Sequence, residues 1–175
     1  MSDDQELWRQ ICKGNAQAFD AFYRQNAPRL KAFLRRIVNS PQVAEDIMQE
    51  VFTKIWCRPN GFRQERGTLR AYLYGIGRKS AAEWWRQQSP GHVAAASDVG
   101  SSRTETISIV GDAFARLSVD QRTLLWLREV EGQSYAELSQ SLDIPIGTVR
   151  SRLFAAREAL REIWKSTKQS SREGA

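Results

Sequence analysis

Residues 134–160 of the chain read SYAELSQSLDIPIGTVRSRLFAAREAL, and this stretch decides the fold of the C-terminal part. Ser134 is followed three residues later by Glu137, a capping-box pattern that predicts the start of a helix. This helix is predicted to end at Leu142. Pro145 predicts the start of a second helix, because proline is favoured in the first helical turn. Only a short turn is left between them, so the stretch predicts a helix-turn-helix motif.

Apolar residues predict how these two helices cross. Ala136, Leu138 and Leu142 of the first helix can pack against Val149 and Leu153 of the second. Such packing sets the angle at which the second helix of the motif enters a DNA major groove.

The second helix carries the polar residues that suit this role. An arginine such as Arg150 can form paired hydrogen bonds with guanine, and the ring of Phe154 can contact a thymine methyl group. Alternatively, these residues form a solvated basic face whose charge is balanced by Glu158 and Glu162. The preceding helix-turn pattern favours DNA binding over this alternative. The residues predicted to contact duplex DNA are Thr148, Arg150, Ser151, Arg152, Phe154 and Arg157.

Towards the N-terminus, residues 44–56 read AEDIMQEVFTKIW and predict a helix with two different sides. Asp46, Gln49 and Glu50 share the side that lies opposite much of the apolar stripe. Taken alone, this is an ordinary solvated helix face.

Residues 67–87, GTLRAYLYGIGRKSAAEWWRQ, predict the next helix and mix basic with aromatic side chains. That mixture suits single-stranded DNA, whose phosphates meet cations and whose bases stack on rings. Alternatively, the aromatic rings pack in the hydrophobic core instead of contacting DNA, and we expect this of at least two of the four rings. The four rings are Tyr72, Tyr74, Trp84 and Trp85.

Helical periodicity covers nearly all the other long segments, and no strand is predicted. A first helix is expected to end at Gly14, a second is capped by Asn15, and a third covers residues 30–38. Ser40 and Pro41 then provide a cap and a proline that begin a fourth helix.

The sequence therefore predicts an all-α fold of two small helical domains joined by a flexible linker. Residues 91–108 are rich in Ser, Gly and Ala with few large apolar residues, as is typical of such linkers. The domains are expected at residues 1–90 and 109–168, and the polar residues 169–175 are expected to form a disordered tail.

The residue content argues against catalysis. The chain has a single histidine, His92, and two cysteines, Cys12 and Cys57, which we interpret as reduced thiols. It has neither a P-loop pattern nor a G-x-S-x-G nucleophile pattern. We predict no enzyme activity, no catalytic residue, no metal and no cofactor.

The net charge of +6 and the pI of about 9.7 indicate a polyanionic partner. The acidic start MSDDQELWRQ lacks the basic and apolar regions of a signal peptide. No apolar run approaches the roughly 20 residues that span a bilayer. We expect a cytoplasmic protein without membrane insertion.

Three stretches in order resemble the sigma-70 family of bacterial RNA polymerase sigma factors. The pattern is similar to the extracytoplasmic-function (ECF) group, which keeps only regions 2 and 4, and it covers residues 15–164. The three stretches are AEDIMQEVFTKIW, FRQERGTLRAYLYGIGRKSAAEWWRQ and LSVDQRTLLWLREVEGQSYAELSQSLDIPIGTVRSRLFAAREAL.

The resemblance implies a sigma factor that binds core RNA polymerase and directs promoter-specific transcription initiation. Region 2 of the family binds the coiled coil of the largest subunit and captures the −10 element as a single strand. Region 4 binds the −35 duplex and a flap on the second-largest subunit. The resemblance also implies an anti-sigma factor as a partner and a monomer when the chain is free.

Residue roles follow from the resemblance by position. Asp46, Gln49 and Glu50 match the polymerase-binding cluster, and residues 58–67 match the loop that cradles a flipped promoter base. Tyr72 matches an aromatic residue that helps to hold the melted strand. The residues expected at the −10 element are Phe62, Arg70, Tyr72, Arg78, Lys79 and Arg86.

The −35-reading positions of the family fall on Arg150, Ser151 and Phe154. Two residues depart from its pattern. Lys79 occupies a position where asparagine is frequent, and Ala155 one where a basic residue is common. Both departures put the promoter sequence in doubt more than the function.

A stand-alone helix-turn-helix regulator is the rival interpretation. Residues 1–90 would then be a sensor or dimerisation domain, and the protein would bind a palindromic duplex as a dimer. The sigma interpretation predicts a monomer that binds polymerase.

Overall fold

The computed structural model describes residues 3–63, 65, 67–88 and 113–173, and every regular element in them is helical. The predicted all-α fold is confirmed, while the linker predicted at residues 91–108 lies outside the described residues. None of the helices in the described ranges is both long and apolar enough to cross a membrane. The elements are α1 (Asp3–Cys12), α2 (Ala16–Val38), α3 (Pro41–Cys57), a 3-10 turn (Pro59–Gly61), α4 (Leu69–Gln88), α5 (Val119–Leu125), a π-helical turn (Trp126–Val130), α6 (Tyr135–Leu142) and α7 (Ile146–Glu173).

Four helices begin directly after a capping residue. The Asn15 side chain accepts hydrogen bonds of 3.0 and 3.2 Å from two backbone amides in the first turn of α2. Ser40 caps α3, and Ser118 and Ser134 form capping boxes at α5 and α6. Each cap supplies an acceptor to amides that have no partner within their own helix. The caps predicted from the sequence are therefore present.

Helix α2 is one continuous helix, so the prediction of separate second and third helices is wrong. The helix passes through Pro28, which lacks an amide donor and normally costs a helix interior about 3 kcal/mol. Pro28 is exposed, while Phe22 and Leu30 on either side of it are buried. Both halves of α2 thus pack on the same core, and this tertiary packing offsets the loss.

Helices α2, α3 and α4 pack together into a first helical unit. Leu30, Phe33 and Leu34 of α2 are fully buried. The ring of Phe33 meets that of Tyr74 on α4 edge to face, with centroids 5.0 Å apart. Burying a side chain of this size stabilises a fold by about 1.5–3 kcal/mol. The apolar stripes of these helices therefore hold the unit together and leave its polar faces outside.

Helices α6 and α7 form the predicted helix-turn-helix. Leu138, Val149 and Leu153 are buried between them. Asp143 has the left-handed conformation (φ 57°) that reverses the chain after α6. Ala136 was predicted to join this packing but is exposed. Residues two apart on a helix point about 200° away from each other, so Leu138 and Ala136 cannot both face α7.

Helix α7 continues to Glu173, beyond the boundary predicted at residue 168. Residues 169–173 are thus included in α7. The sequence from 165 to 173 contains neither Gly nor Pro and includes several Lys, Gln, Arg and Glu residues, which favour helix.

The two helical units contact each other through α4 and α6. The hydroxyl of buried Ser141 donates to the carbonyl of Ala71 at 3.0 Å. The Arg78 guanidinium donates to the carbonyl of Leu142 at 3.1 Å. A Cβ at Gly75 would lie 3.3 Å from the Ser141 carbonyl oxygen. The two helices thus approach closely at a position where α4 has no side chain.

Candidate nucleic-acid and protein interfaces

The first half of α7 is an open surface. Arg150, Ser151 and Phe154 are exposed, and 68% of the Phe154 surface remains accessible. Thr148 is half-buried, and its carbonyl accepts a 3.1 Å hydrogen bond from the Ser151 hydroxyl. Arg152 lies on another side of the helix, where it lines a cavity between the two units. The structure thus brings most, but not all, of the predicted duplex-binding residues together.

Basic residues along α7 differ in whether a carboxylate balances them. Among the described residues, no ion pair includes Arg150 or Arg152. Arg157 donates to Glu129 at 2.6 Å, and this hydrogen bond raises the pKa of Arg157. The ion pairs of the second half of α7 are Arg157–Glu129, Arg161–Glu158 and Lys165–Glu162. Among the described side chains of α7, which extend to residue 166, unbalanced positive charge is therefore concentrated in the first half.

Tyr135 lies beside this surface, although sequence reasoning did not single it out. The Arg128 guanidinium is 5.1 Å from the centroid of its ring and the Arg150 guanidinium 5.8 Å. Tyr135 follows the cap Ser134, so it starts α6 next to the beginning of α7. The sequence contains the aromatic residue and the arginines but gives no signal that they meet.

The predicted polymerase-binding residues lie together on an open side of α3. Asp46, Gln49 and Glu50 are all exposed. Asp46 accepts a hydrogen bond from Gln42 at 3.2 Å, and Gln49 donates one to Glu45 at 3.3 Å. These contacts stay within α3 and leave the face accessible to a partner.

A groove between α3 and α4 adjoins this face. Asp46 and Glu50 line it from α3, and Glu83 and Trp84 line it from α4. Carboxylates at the edge and an indole in the wall suit a partner with basic and apolar side chains.

The aromatic residues of α4 contribute mainly to packing. Tyr72 is half-buried, with its ring centroid 6.3 Å from that of Trp8 and 5.6 Å from that of Phe62. Burial raises the pKa of Tyr72. Tyr74 is buried, and Trp84 packs partly against the core. The expectation that at least two of the four rings pack in the core is confirmed.

The basic residues predicted at the −10 element do not share one open surface. Arg78 and Lys79 contact the turn of the helix-turn-helix motif, the first by a 3.1 Å hydrogen bond and the second by an ion pair of 3.9 Å. Arg86 pairs with Glu83, and Arg70 is half-buried. The second unit thus covers part of α4.

Polar residues buried at this contact were also missed by the sequence analysis. The Ser141 hydroxyl, which has one proton to share between two acceptors, also lies 2.9 Å from Oε1 of Gln133, which is completely buried. Glu131 is 8% exposed, and its carboxylate together with burial raises the pKa of Tyr74. Serine, glutamine and glutamate are usually surface residues, so nothing in the sequence marks them as part of a contact.

In the described residues, neither the cysteines nor the potential metal ligands form a further site. Cys12 and Cys57 are free and exposed. Within the part of the chain that the structure describes, no group of three potential ligands could hold a metal ion.

Comparison with protein families matches both halves of the chain. Residues 22–90 match the family model Sigma-70 region 2, and residues 107–160 match Sigma-70, region 4. The RNA polymerase sigma-H factor of Pseudomonas aeruginosa is 29% identical, over 90% of this chain and 91% of that protein. The ECF RNA polymerase sigma-E factor of Haemophilus influenzae is 30% identical, over 90% of this chain and 93% of that protein.

Solved structures have the same fold. The sigma factor RpoE, in complex with the anti-sigma factor NepR from Bartonella quintana, has a TM-score of 0.68 and 26% identity, over 86% of this chain and 98% of that chain. CnrH, in complex with the cytosolic domain of CnrY, has a TM-score of 0.73 over 94% of this chain and 99% of that chain, at 20% identity. With both regions present in order and relatives matched over nearly their full length, the chain belongs to the ECF group of the sigma-70 family.

Proposed function

We propose that this sigma factor binds core RNA polymerase through α3 and directs it to promoters whose −35 duplex is contacted by α7. The observation that carries the proposal is the combination, in one chain, of an open polar face on α3 with an open cationic face on α7. The chain acts by binding and by strand capture, and we assign it no bond chemistry. Residues 1–90 serve as region 2, residues 109–168 as region 4, and residues 91–108 as the linker between them.

Contact with the −35 duplex is assigned to the first half of α7. Arg150 has no carboxylate partner among the described ion pairs, and Phe154 is largely exposed. An unpaired guanidinium can form two hydrogen bonds with guanine without first breaking an ion pair. Arg157 is bound to Glu129, so its contribution to phosphate binding is smaller than its charge suggests.

Polymerase binding is assigned to Asp46, Gln49 and Glu50. Their common side of α3 is exposed and lies opposite a buried apolar stripe. The family places the coiled coil of the largest polymerase subunit on this face, and a flap of the second-largest subunit on region 4.

Capture of the −10 strand requires a rearrangement of the two units. Arg78 and Lys79 of α4 are bound to the turn after α6. For the Arg78 guanidinium to meet the phosphates of a melted strand, α6 must move away from α4, whereas the side chain of Lys79 is already largely exposed. Tyr72 and Phe62 then contact the melted strand at the edge of the α4 surface that carries Arg78 and Lys79. Their mutual packing also stabilises the first unit.

An anti-sigma factor is expected to hold the chain inactive. The sigma factor RpoE, which is similar to this chain, is described in complex with the anti-sigma factor NepR. The groove between α3 and α4 has carboxylates at its edge and adjoins the face assigned to polymerase. A partner that places basic side chains in this groove would compete with polymerase.

The test replaces Asp46, Gln49 and Glu50 together by alanine. The variant should keep its melting temperature, because substitutions on a solvated face change stability by less than about 0.5 kcal/mol. It should fail to bind core polymerase in a pull-down and to support run-off transcription. A control triple variant, Gln17→Ala, Asp20→Ala and Gln25→Ala, removes exposed polar groups from α2 and should behave as the unmodified chain.

Normal polymerase affinity of the first variant would overturn the assignment of α3. A homodimer in gel filtration, with no affinity for core polymerase, would favour the stand-alone regulator instead.

A further inference from the structure

We propose that Tyr135 is a positioning residue for promoter reading, and that its ring orders the guanidinium of Arg150 before DNA is bound. This inference rests on the proposed contact between α7 and the −35 duplex. Tyr135 is assigned no base contact of its own.

Two arginines from different segments lie close to the ring of Tyr135. The Arg128 guanidinium, from the π-helical turn, lies 5.1 Å from the ring centroid, and that of Arg150, from α7, lies 5.8 Å from it. Both distances are within the roughly 6 Å at which a cation is attracted to the face of an aromatic ring. One ring therefore holds two cations at the start of the recognition helix.

The position of the ring is itself fixed by neighbouring contacts. Ser134 and Glu137 form the capping box that begins α6 at Tyr135. The Tyr135 side chain also lies near Arg157, whose pKa is raised mainly by its hydrogen bond to Glu129 and to a smaller extent by Tyr135. The cap thus fixes where Tyr135 begins α6, next to an ion-paired arginine.

Arg150 depends on this ring more than its neighbours do. Arg128 also donates to the Gln133 carbonyl at 2.6 Å, and Arg157 is paired with Glu129. Among the described ion pairs none includes Arg150, so the ring is the contact that restricts its conformers. An exposed arginine that is already ordered loses less conformational entropy when it binds.

The experiment uses assembled holoenzyme and a promoter selected by run-off transcription from a genomic library. Competition binding against point variants of its −35 element measures sequence discrimination. Tyr135→Leu removes the ring, and the discrimination against those variants should fall by about two- to fivefold, as expected for an exposed cation–π contact. Tyr135→Phe keeps the ring and should retain the discrimination, although it loses the hydroxyl.

Arg150→Ala and the double variant complete the cycle. Arg150→Ala should remove more of the discrimination than Tyr135→Leu does. Adding Tyr135→Leu to Arg150→Ala should cause no further loss at the same base positions, because the ring acts through Arg150. Tyr135→Met is measured alongside, so that a folding defect of the leucine variant does not decide the result.

The outcomes separate the inference from the function on which it rests. If Arg150→Ala leaves the ranking of −35 sequences intact, the proposed role of α7 in reading is wrong. If Arg150→Ala flattens the ranking while Tyr135→Leu and Tyr135→Met preserve it, the positioning role of Tyr135 is overturned. Loss of discrimination in Tyr135→Phe as well would assign the role to the hydroxyl and overturn the ring contact.

Discussion

The two surfaces assigned to DNA differ in how much of each the folded chain leaves open. On α7, Arg150 and Phe154 face outward and the arginine has no carboxylate partner among the described ion pairs. On α4, Arg78 is hydrogen-bonded to the turn after α6, and Lys79 lies within ion-pair distance of that turn. Charge and residue type are similar on both helices, so the difference comes from packing between the two units.

Because of this difference, the two kinds of DNA binding have different structural requirements. Duplex contact needs only that α7 reach a groove, whereas strand contact needs α6 to leave α4. Binding at α7 is therefore expected to depend on side chains alone, and binding at α4 to depend also on the stability of the inter-unit contact.

The largest expected effect is on the open surface. Arg150→Ala should reduce the preference for the best −35 sequence by about 1–3 kcal/mol, which is the value of a paired hydrogen bond to a base. Arg157→Ala should leave the ranking of sequences unchanged, because that arginine is already paired with Glu129. Holoenzyme binding to a series of −35 variants measures both. An equal loss of ranking in the two variants would mean that α7 enters the groove in a different register.

A smaller effect is expected where α4 meets α6. Ser141→Ala removes the buried hydroxyl that is shared between the Ala71 carbonyl and Gln133, so the free energy of unfolding should fall by about 1 kcal/mol. Thr53→Ala on the exposed side of α3 is the matched control and should change it by less than about 0.5 kcal/mol. Urea unfolding monitored by circular dichroism gives both values. Equal stability of the two variants would show that the Ser141 contact does not contribute in solution.

The smallest effect concerns pH. Although burial opposes ionisation of Glu137, hydrogen bonds from Ser134 and Thr68 lower its pKa below the ordinary value. A carboxyl group whose pKa is lower in the folded state adds stability above its unfolded pKa, and that stability is lost as pH falls through the folded pKa. Glu137→Gln should therefore make the free energy of unfolding less dependent on pH at pH values below the ordinary pKa of glutamate. An unchanged pH profile would contradict the contribution of this carboxylate.

Much of the fold could be predicted from local sequence signals. Asn15, Ser40 and Ser134 mark helix starts because their side chains supply the acceptors that first-turn amides lack. The division of α2 into two helices was wrong, because packing of buried residues on both sides of Pro28 keeps the helix continuous despite the local cost of proline.

The candidate sites were predictable on single helices but not across them. Asp46, Gln49 and Glu50 could be grouped from helical spacing alone. The contact of Arg150 with Tyr135, and that of Ser141 with Ala71, depend on how separate elements pack. The residue pattern of a single helix does not show which other helix packs against it. The contact of α6 with α4 could therefore not be predicted from the sequence.

The most direct test compares two probes on the free chain. One is a −35 duplex from the selected promoter and the other is the single non-template −10 strand. Gly75→Leu should push α6 away from α4, because even a Cβ added at this position would lie 3.3 Å from the Ser141 carbonyl oxygen. Ala82→Leu, on an exposed position of α4, is the matched control. We expect Gly75→Leu to increase affinity for the single strand by at least about tenfold, the equivalent of 1.4 kcal/mol, with duplex affinity unchanged. Equal strand affinity in the unmodified chain and in both variants would contradict the conclusion that α6 covers the strand-binding side of α4.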